Sequence, residues 1–159
     1  LGPTHDLPGG GVDLRDPHHE CERVESDAIT GRPFVRHWLH QGRGHLGGRK
    51  LSPSDGNLRF VHDLRERHEP MAIRLALGAH HYRRPWPWTD DLLDTAAARL
   101  DRWRAAGPGG GALDEVRDRL DDDLDVPGAL AAIDAASAAG EGVTEAAGVL
   151  GVDLEPPAP

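Results

Sequence analysis

The sequence predicts an α/β segment followed by a small all-α bundle. Residues 1–57 are rich in Gly, His and Arg and hold one short apolar run, residues 34–39, which reads as a buried strand. Beyond it apolar residues recur at helical spacing, and clusters of Gly and Pro divide them into separate segments. Residues 70–79 form a short helix with Pro70 in its first turn, and Met71, Ile73, Leu75 and Leu77 make it apolar on more than one side, so it is largely buried. Pro85-Trp86-Pro87-Trp88 is an extended linker, because each residue before a proline is excluded from the helical region. Thr89 is placed to cap the next helix, with Asp90 and Asp91 in its first turn and Leu92, Leu93, Ala96, Leu100 and Trp103 on one face up to Gly107. Gly107-Pro108-Gly109-Gly110-Gly111 breaks it. A second amphipathic helix carries Leu113, Val116, Leu120 and Leu124. Pro127 starts a third with Leu130 and Ile133, a fourth spans 144–150, and the tail 155–159 is expected to be disordered.

A chain of 159 residues supports one core or two small subdomains. Eighteen basic against twenty-seven acidic residues leave a formal charge of −9, which repels phosphate backbones and sets nucleic acid aside as a partner. The single cysteine excludes a disulfide framework. No apolar run reaches the roughly 20 residues of a membrane span and no signal-peptide pattern is present, so a cytoplasmic location is expected. The start on Leu1, inside a motif, reads as that of a fragment.

The stretch from Gly9 to Glu22 concentrates the chemistry. Gly9, Gly10 and Gly11 remove every Cβ from a turn, which lets main-chain N–H groups approach a flat ligand such as a nucleotide. His18, His19, Glu20, Cys21 and Glu22 offer the imidazole, carboxylate and thiolate that zinc takes. The plain alternative is an ordinary turn followed by solvated histidines. Cys21 is read as a bystander. His80, His81, Trp86 and Trp88 are read as packing and hinge residues. The run Asp121–Asp125 lacks the alternating oxygens and central Gly of a calcium loop.

The order of segments resembles the class I cysteinyl-tRNA synthetases and their relative, the cysteine ligase of mycothiol biosynthesis. Leu1-Gly2-Pro3-Thr4-His5-Asp6-Leu7, Gly9-Gly10-Gly11-Val12-Asp13-Leu14 and Pro17-His18-His19-Glu20 are similar to the family's glycine-rich adenylate loop and zinc segment. Asp121–Leu130 is similar to its acidic turn before the last helices. Met71–Leu77, His80-His81-Tyr82-Arg83 and Trp86-Pro87-Trp88-Thr89 look more like the mycothiol enzyme, as does the end after Leu154. The resemblance implies the C-terminal end of a class I synthetase Rossmann-like catalytic domain over 1–69, a helical subdomain over 70–154 and a disordered tail over 155–159.

It also implies an ATP-dependent ligase that forms a cysteinyl adenylate and passes cysteine to the amine of glucosaminyl-inositol. Zinc and ATP are the implied cofactors, L-cysteine and glucosaminyl-inositol the substrates; tRNA is not expected. By the same resemblance His18 and Glu22 fall on zinc ligands, Gly9 to Gly11, Val12 and Asp13 on adenylate contacts, and Gly44 on a backbone contact to the adenine. The two cysteine ligands and the HIGH-type segment of the family lie upstream of Leu1. Lys50-Leu51-Ser52-Pro53-Ser54-Asp55-Gly56-Asn57 matches the mobile KMSKS loop, with Lys50 as its first lysine and Pro53 where the second lysine stands. Proline stiffens a loop that closes and removes a phosphate-facing cation, so phosphoryl transfer by this chain alone is expected to be crippled. A synthetase fragment, a degenerate non-catalytic paralogue, a stand-alone zinc module and pairing with a separate N-terminal half remain as alternatives.

Overall fold

Two local facts shape the first half of the chain: a run of glycines with no side chains to splay neighbouring strands, and behind it a helix-forming stretch rich in Glu. The computed structural model describes residues 2–156. Gly9–Gly11 (β1) is an extended strand, Glu20–Thr30 is helix α1, and Leu39–Gln41 is β2. The two strands pair in parallel with Gly9 opposite Leu39, Gly10 opposite His40 and Gly11 opposite Gln41, which makes a β-α-β crossover. The expected glycine turn is therefore a strand. Its backbone groups are spent partly on the ladder, and a bridge from His5 to Val35 extends the same pairing.

The expected buried strand at 34–39 is corrected as well. Only Leu39 belongs to β2, Val35 makes an isolated bridge, and Arg36 and His37 are exposed. The physical reason is local: the chain bends after α1, where Gly31 takes a left-handed conformation at φ 64° and the Asp27 carboxylate accepts the Phe34 N–H at 2.8 Å. Gly44–Leu46 (β3) pairs antiparallel with Arg49–Lys50 (β4) and parallel with Trp86–Pro87 (β5). Gly47 and Gly48 close the β3–β4 hairpin at φ 57° and 78°, a two-residue turn whose positive φ values glycine tolerates best. The proline-rich segment at 85–88 is extended as expected, yet it serves as a strand rather than a bare linker.

The second half is helical. α2 is Val61–Leu64, α3 Pro70–Gly78, α4 Leu92–Ala106, α5 Leu113–Asp121, α6 Val126–Ala138 and α7 Thr144–Val149. Trp103, Leu75, Leu100, Ile133, Val116 and Val143 are its largest fully buried side chains. Thr89 does not cap α4; Asp91 stands at the N-cap without a side-chain bond, and the Thr89 carbonyl instead accepts the Leu92 N–H at 3.3 Å. Leu124 leaves the face of α5: the helix ends at Asp121, and Asp123 and Leu124 turn at φ 54° and 55°, leaving Leu124 about half exposed. That turn lets the Asp125 carboxylate accept the Gly128 N–H at 3.1 Å and start α6. The glycine loop after α4 docks by backbone, Gly111 N–H donating to the Gly142 carbonyl at 2.8 Å and Val143 N–H to that of Gly107 at 3.1 Å. A Cβ on Gly142 would run into the Pro108 carbonyl, so this closeness requires glycine.

The chain forms two compact units, residues 1–51 with 82–87 and residues 52–81 with 88–159. The grouping differs from a boundary between 69 and 70: residues 52–69 go with the helices, and 82–87 return to the first unit because β5 pairs with β3. Leu1 and residues 157–159 of the expected tail lie outside the described residues. Glu155 is held, its N–H donating to Asp153 Oδ1 at 2.9 Å.

Arg104 ties the helical unit together. Its guanidinium donates to both Glu69 oxygens at 2.8 Å and, through Nε, to the Leu154 carbonyl at 3.1 Å. Hydrogen bonding from Arg104 holds the Glu69 carboxyl below the usual carboxylate range, against a smaller opposing effect of burial. A carboxyl whose pKa is lower in the folded state stabilises the fold above its unfolded pKa, and that stability disappears as pH falls through the folded value. In urea titrations from neutral to acid pH, Arg104→Met is expected to be less stable than the parent near neutrality, with the gap closing as Glu69 protonates. A gap constant down to the acid limit would contradict this.

Candidate functional site

Every residue expected to touch adenylate or zinc, apart from the loop beyond Leu51, lies in the β-α-β unit and its hairpin. His18 stands just ahead of α1 and Glu22 one turn on, with His18 Nε2 and Glu22 Oε1 3.5 Å apart and both side chains about half exposed. The i,i+4 spacing places both donors on one face, which suits two corners of a four-coordinate zinc site. Among the described residues no group of three or more His, Cys, Asp or Glu side chains stands close enough to hold a metal. Cys21 is exposed and unpaired with another cysteine. The residues present thus fit half of a metal site.

Asp13 is engaged by Arg43: Nε donates to Asp13 Oδ1 at 2.6 Å, and a second guanidinium nitrogen contacts Oδ2. Arg43 was not singled out from the sequence. Its position next to Gly44, and opposite in charge to Asp13, is the signal that was there to read. The glycines have internal reasons for lacking side chains. A Cβ on Gly10 would stand 2.7 Å from His19 Cε1, one on Gly11 2.5 Å from Asp13 Oδ1, and one on Gly44 2.9 Å from Leu51 Cδ1 and 3.2 Å from the Trp86 ring. Gly9 is more open, its nearest neighbour being the Leu39 carbonyl at 3.5 Å. Val12 is exposed and begins a short 3-10 turn that carries Asp13.

His19, read from the sequence as a solvated loop residue or one of several metal donors, is buried instead. Its ring stacks on Trp38 at 4.5 Å between centroids, and its Nδ1 lies 2.9 Å from His40 Nε2. Burial, and then the charges of His19 and Arg15, push the His40 imidazole below its ordinary pKa. Trp38 and His40, two apart on an extended segment, share one face and form with His19 an aromatic wall beneath α1. Gly10→Ala is expected to expel the His19 ring and cost about 1–3 kcal/mol. Thermal unfolding and the His40 ring resonances check this; unchanged resonances would refute the contact.

Lys50 ends β4, is exposed, and pairs in register with His45. Residues 52–57 form a tied turn. Ser52 is buried, its Oγ accepts the Asp55 N–H at 3.2 Å, and its own N–H donates to Asn57 Oδ1 at 3.0 Å. Pro53 opens the 3-10 turn at 53–55, where a missing N–H costs nothing, and Gly56 closes it at φ 63°.

Comparison with known proteins bears on the same segments. The family described as tRNA synthetases class I (C) catalytic domain matches residues 1–98. The chain is 55% identical, over 87% of its length, to the L-cysteine:1D-myo-inositol 2-amino-2-deoxy-alpha-D-glucopyranoside ligase of Thermobispora bispora, and 48% identical over its whole length to the protein of that name from Parafrankia sp. (strain EAN1pec). It spans 36% and 41% of the length of these relatives. Among solved structures, LeuRS of Agrobacterium radiobacter K84, in a ternary complex with tRNA and LeuAMS, superposes with a TM-score of 0.59 at 17% identity, covering 94% of this chain and 25% of that one, a likeness of fold. With its first 98 residues matched in this way, the chain belongs to the class I (C) tRNA synthetase catalytic-domain family.

Proposed function

We propose that this chain provides part of the active site of a cytoplasmic, ATP-dependent ligase that joins L-cysteine to the amine of glucosaminyl-inositol. The observation that carries the reading is the His18–Glu22 pair, set one turn apart behind the glycine strand in a chain about half identical to ligases of that name. In the first step the cysteine carboxylate attacks the α-phosphorus of ATP and pyrophosphate leaves. In the second the acceptor amine attacks the cysteinyl carbonyl, AMP leaves with the bonding pair, and the amine gives up a proton. The mixed anhydride turns a poor leaving group into a good one, so the protein has mainly to orient reactants and receive charge.

Gly11, Val12 and Asp13 are the residues assigned to the adenylate, with Gly9 and Gly10 forming the strand that presents them and Gly44 near the adenine. Lys50 is assigned to the phosphates. His18 and Glu22 would hold zinc together with donors from outside these 159 residues, and the metal would supply selectivity for the cysteine thiolate. Arg43 holds the Asp13 carboxylate in place, and the lone pairs it leaves open can accept a hydroxyl of the adenylate.

The test is cysteine-dependent ATP–pyrophosphate exchange. The purified chain alone is expected to show none. Exchange should appear when it is combined with the part of the Thermobispora bispora ligase that this chain does not cover. Robust exchange by the chain alone would overturn the divided site. Absence in the mixture, with both parts folded and associated, would favour the second reading, a non-catalytic paralogue, for which Pro53 is the specific observation.

A further inference from the structure

Helix α1 carries its apolar residues on the side away from its own unit. Its covered side is polar: Arg23, Ser26 and Asp27 are the half-buried residues of the helix, Arg23 donates to Asp27 at 3.2 Å, and the Asp27 carboxylate accepts the Phe34 N–H at 2.8 Å. The opposite side is apolar. Cys21, Val24, Ala28 and Ile29 follow the i, i+3, i+7, i+8 spacing of one helical stripe, and all four are exposed, Ile29 by 85%. On a surface helix the apolar stripe is the one that is ordinarily covered.

The unit around α1 has no core of its own. Among the described residues of 1–51 and 82–87 no hydrophobic side chain is buried, and His19 is the one residue that is; the buried apolar residues belong to the helical unit. The parallel pair β1–β2, of a kind ordinarily found with both faces covered, is two strands wide. Ile29 also continues the row of His18 and Glu22, standing close to two helical turns beyond Glu22. A polypeptide that approaches that pair along the helix therefore meets Ile29.

We propose that the Cys21–Val24–Ala28–Ile29 face of α1 is a docking surface for the part of the ligase that this chain does not cover. The inference rests on the reading of the chain as part of that ligase. Polypeptide for the purpose exists in the relatives: the matched regions are 36% and 41% of the Thermobispora bispora and Parafrankia proteins, which leaves more than half of each. Charge argues against a second copy as the occupant. Glu22 and Glu25 flank the stripe, so two α1 helices laid face to face would set like charges together across an apolar contact. One helix of 11 residues, about 16 Å long, is also too short to bury by itself the area of a stable dimer.

Sedimentation velocity of the intact 159-residue chain, alone and mixed with the part of the Thermobispora bispora ligase that it does not cover, tests this. The chain alone is expected to be monomeric and the mixture to form a one-to-one complex. Ile29→Asp and Val24→Asp should each weaken the complex about 30-fold, whereas Leu124→Asp, at a position of the helical unit as exposed as Val24, should leave it unchanged. Far-ultraviolet circular dichroism and His40 ring resonances at their wild-type values verify that the free variants are folded. Alkylation of Cys21 by iodoacetamide, read on this chain by mass spectrometry, should slow in the complex. A complex that forms without ATP–pyrophosphate exchange supports the surface and counts against the ligase reading. Exchange undiminished by either α1 substitution leaves the ligase reading standing and overturns the surface. Absence of a complex, self-association of the chain that Ile29→Asp abolishes, equal weakening by all three substitutions, or Cys21 labelling that the partner does not change would each overturn it.

Discussion

Trp103→Ala is expected to lower the stability of the helical unit by about 3–5 kcal/mol, the usual cost of emptying a buried aromatic site. Trp103 is fully buried, and its Nε1 donates to Asp134 Oδ1 at 2.8 Å. Arg99 holds the same carboxylate, Nε standing 3.2 Å from Oδ1 and 3.1 Å from Oδ2. Removing the indole therefore opens a cavity in the buried core to which Leu75, Leu100 and Ile133 also belong and takes one donor from Asp134. Trp103→Phe separates the two effects: most of the volume stays and the hydrogen bond goes, so a loss of about 1–2 kcal/mol is expected. Urea unfolding followed by far-ultraviolet circular dichroism measures both. A loss below about 1 kcal/mol for Trp103→Ala would show that this side chain is not central to the core.

Pro53→Lys is expected to raise exchange by the complemented ligase by about 10²–10³-fold, the typical worth of one donor aimed at developing oxyanion charge. The turn can accept the change. Pro53 is exposed at the first position of its 3-10 turn, and the flanking anchors at Ser52 and Asn57 use no atom of the proline. Stability should shift by no more than about 0.5 kcal/mol. Lys50→Ala in the same background should abolish most of the gain. If Pro53→Lys folds normally and exchange does not rise, the missing cation is not what limits phosphoryl transfer, and the assignment of this loop fails.

The helices were legible in the amino-acid order because their apolar periods are local. Leu93, Ala96, Leu100 and Trp103 recur on one face of α4 and are buried together, and Pro70 and Pro127 sit in the first turns they were expected to start. Leu124 fits the period of α5 equally well and is nonetheless outside it. The competing term is the cap of α6: Asp125 can reach the Gly128 N–H only if the chain turns before it, and two residues adopt positive φ to allow this. The first half was harder to read. A glycine triplet is as compatible with a turn as with a strand, and what decided was pairing with Leu39–Gln41, some thirty residues away.

The site shows the same division. Residue types were sufficient to bring out the cluster from Gly9 to Glu22, and the family resemblance to single out His18, Glu22, Gly11, Asp13, Lys50 and Pro53, on a pattern that the comparison supports at the level of the family. Tertiary structure alone decided that His19 is buried against Trp38 and His40, that Gly10 must be glycine to leave it room, that Arg43 holds Asp13, and that Val24 and Ile29 of α1 are exposed. The physical reason is range. Periodicity and capping act within a turn or two of chain, whereas ring stacking, guanidinium pairing and the space left by an absent Cβ depend on which strand lies beside which.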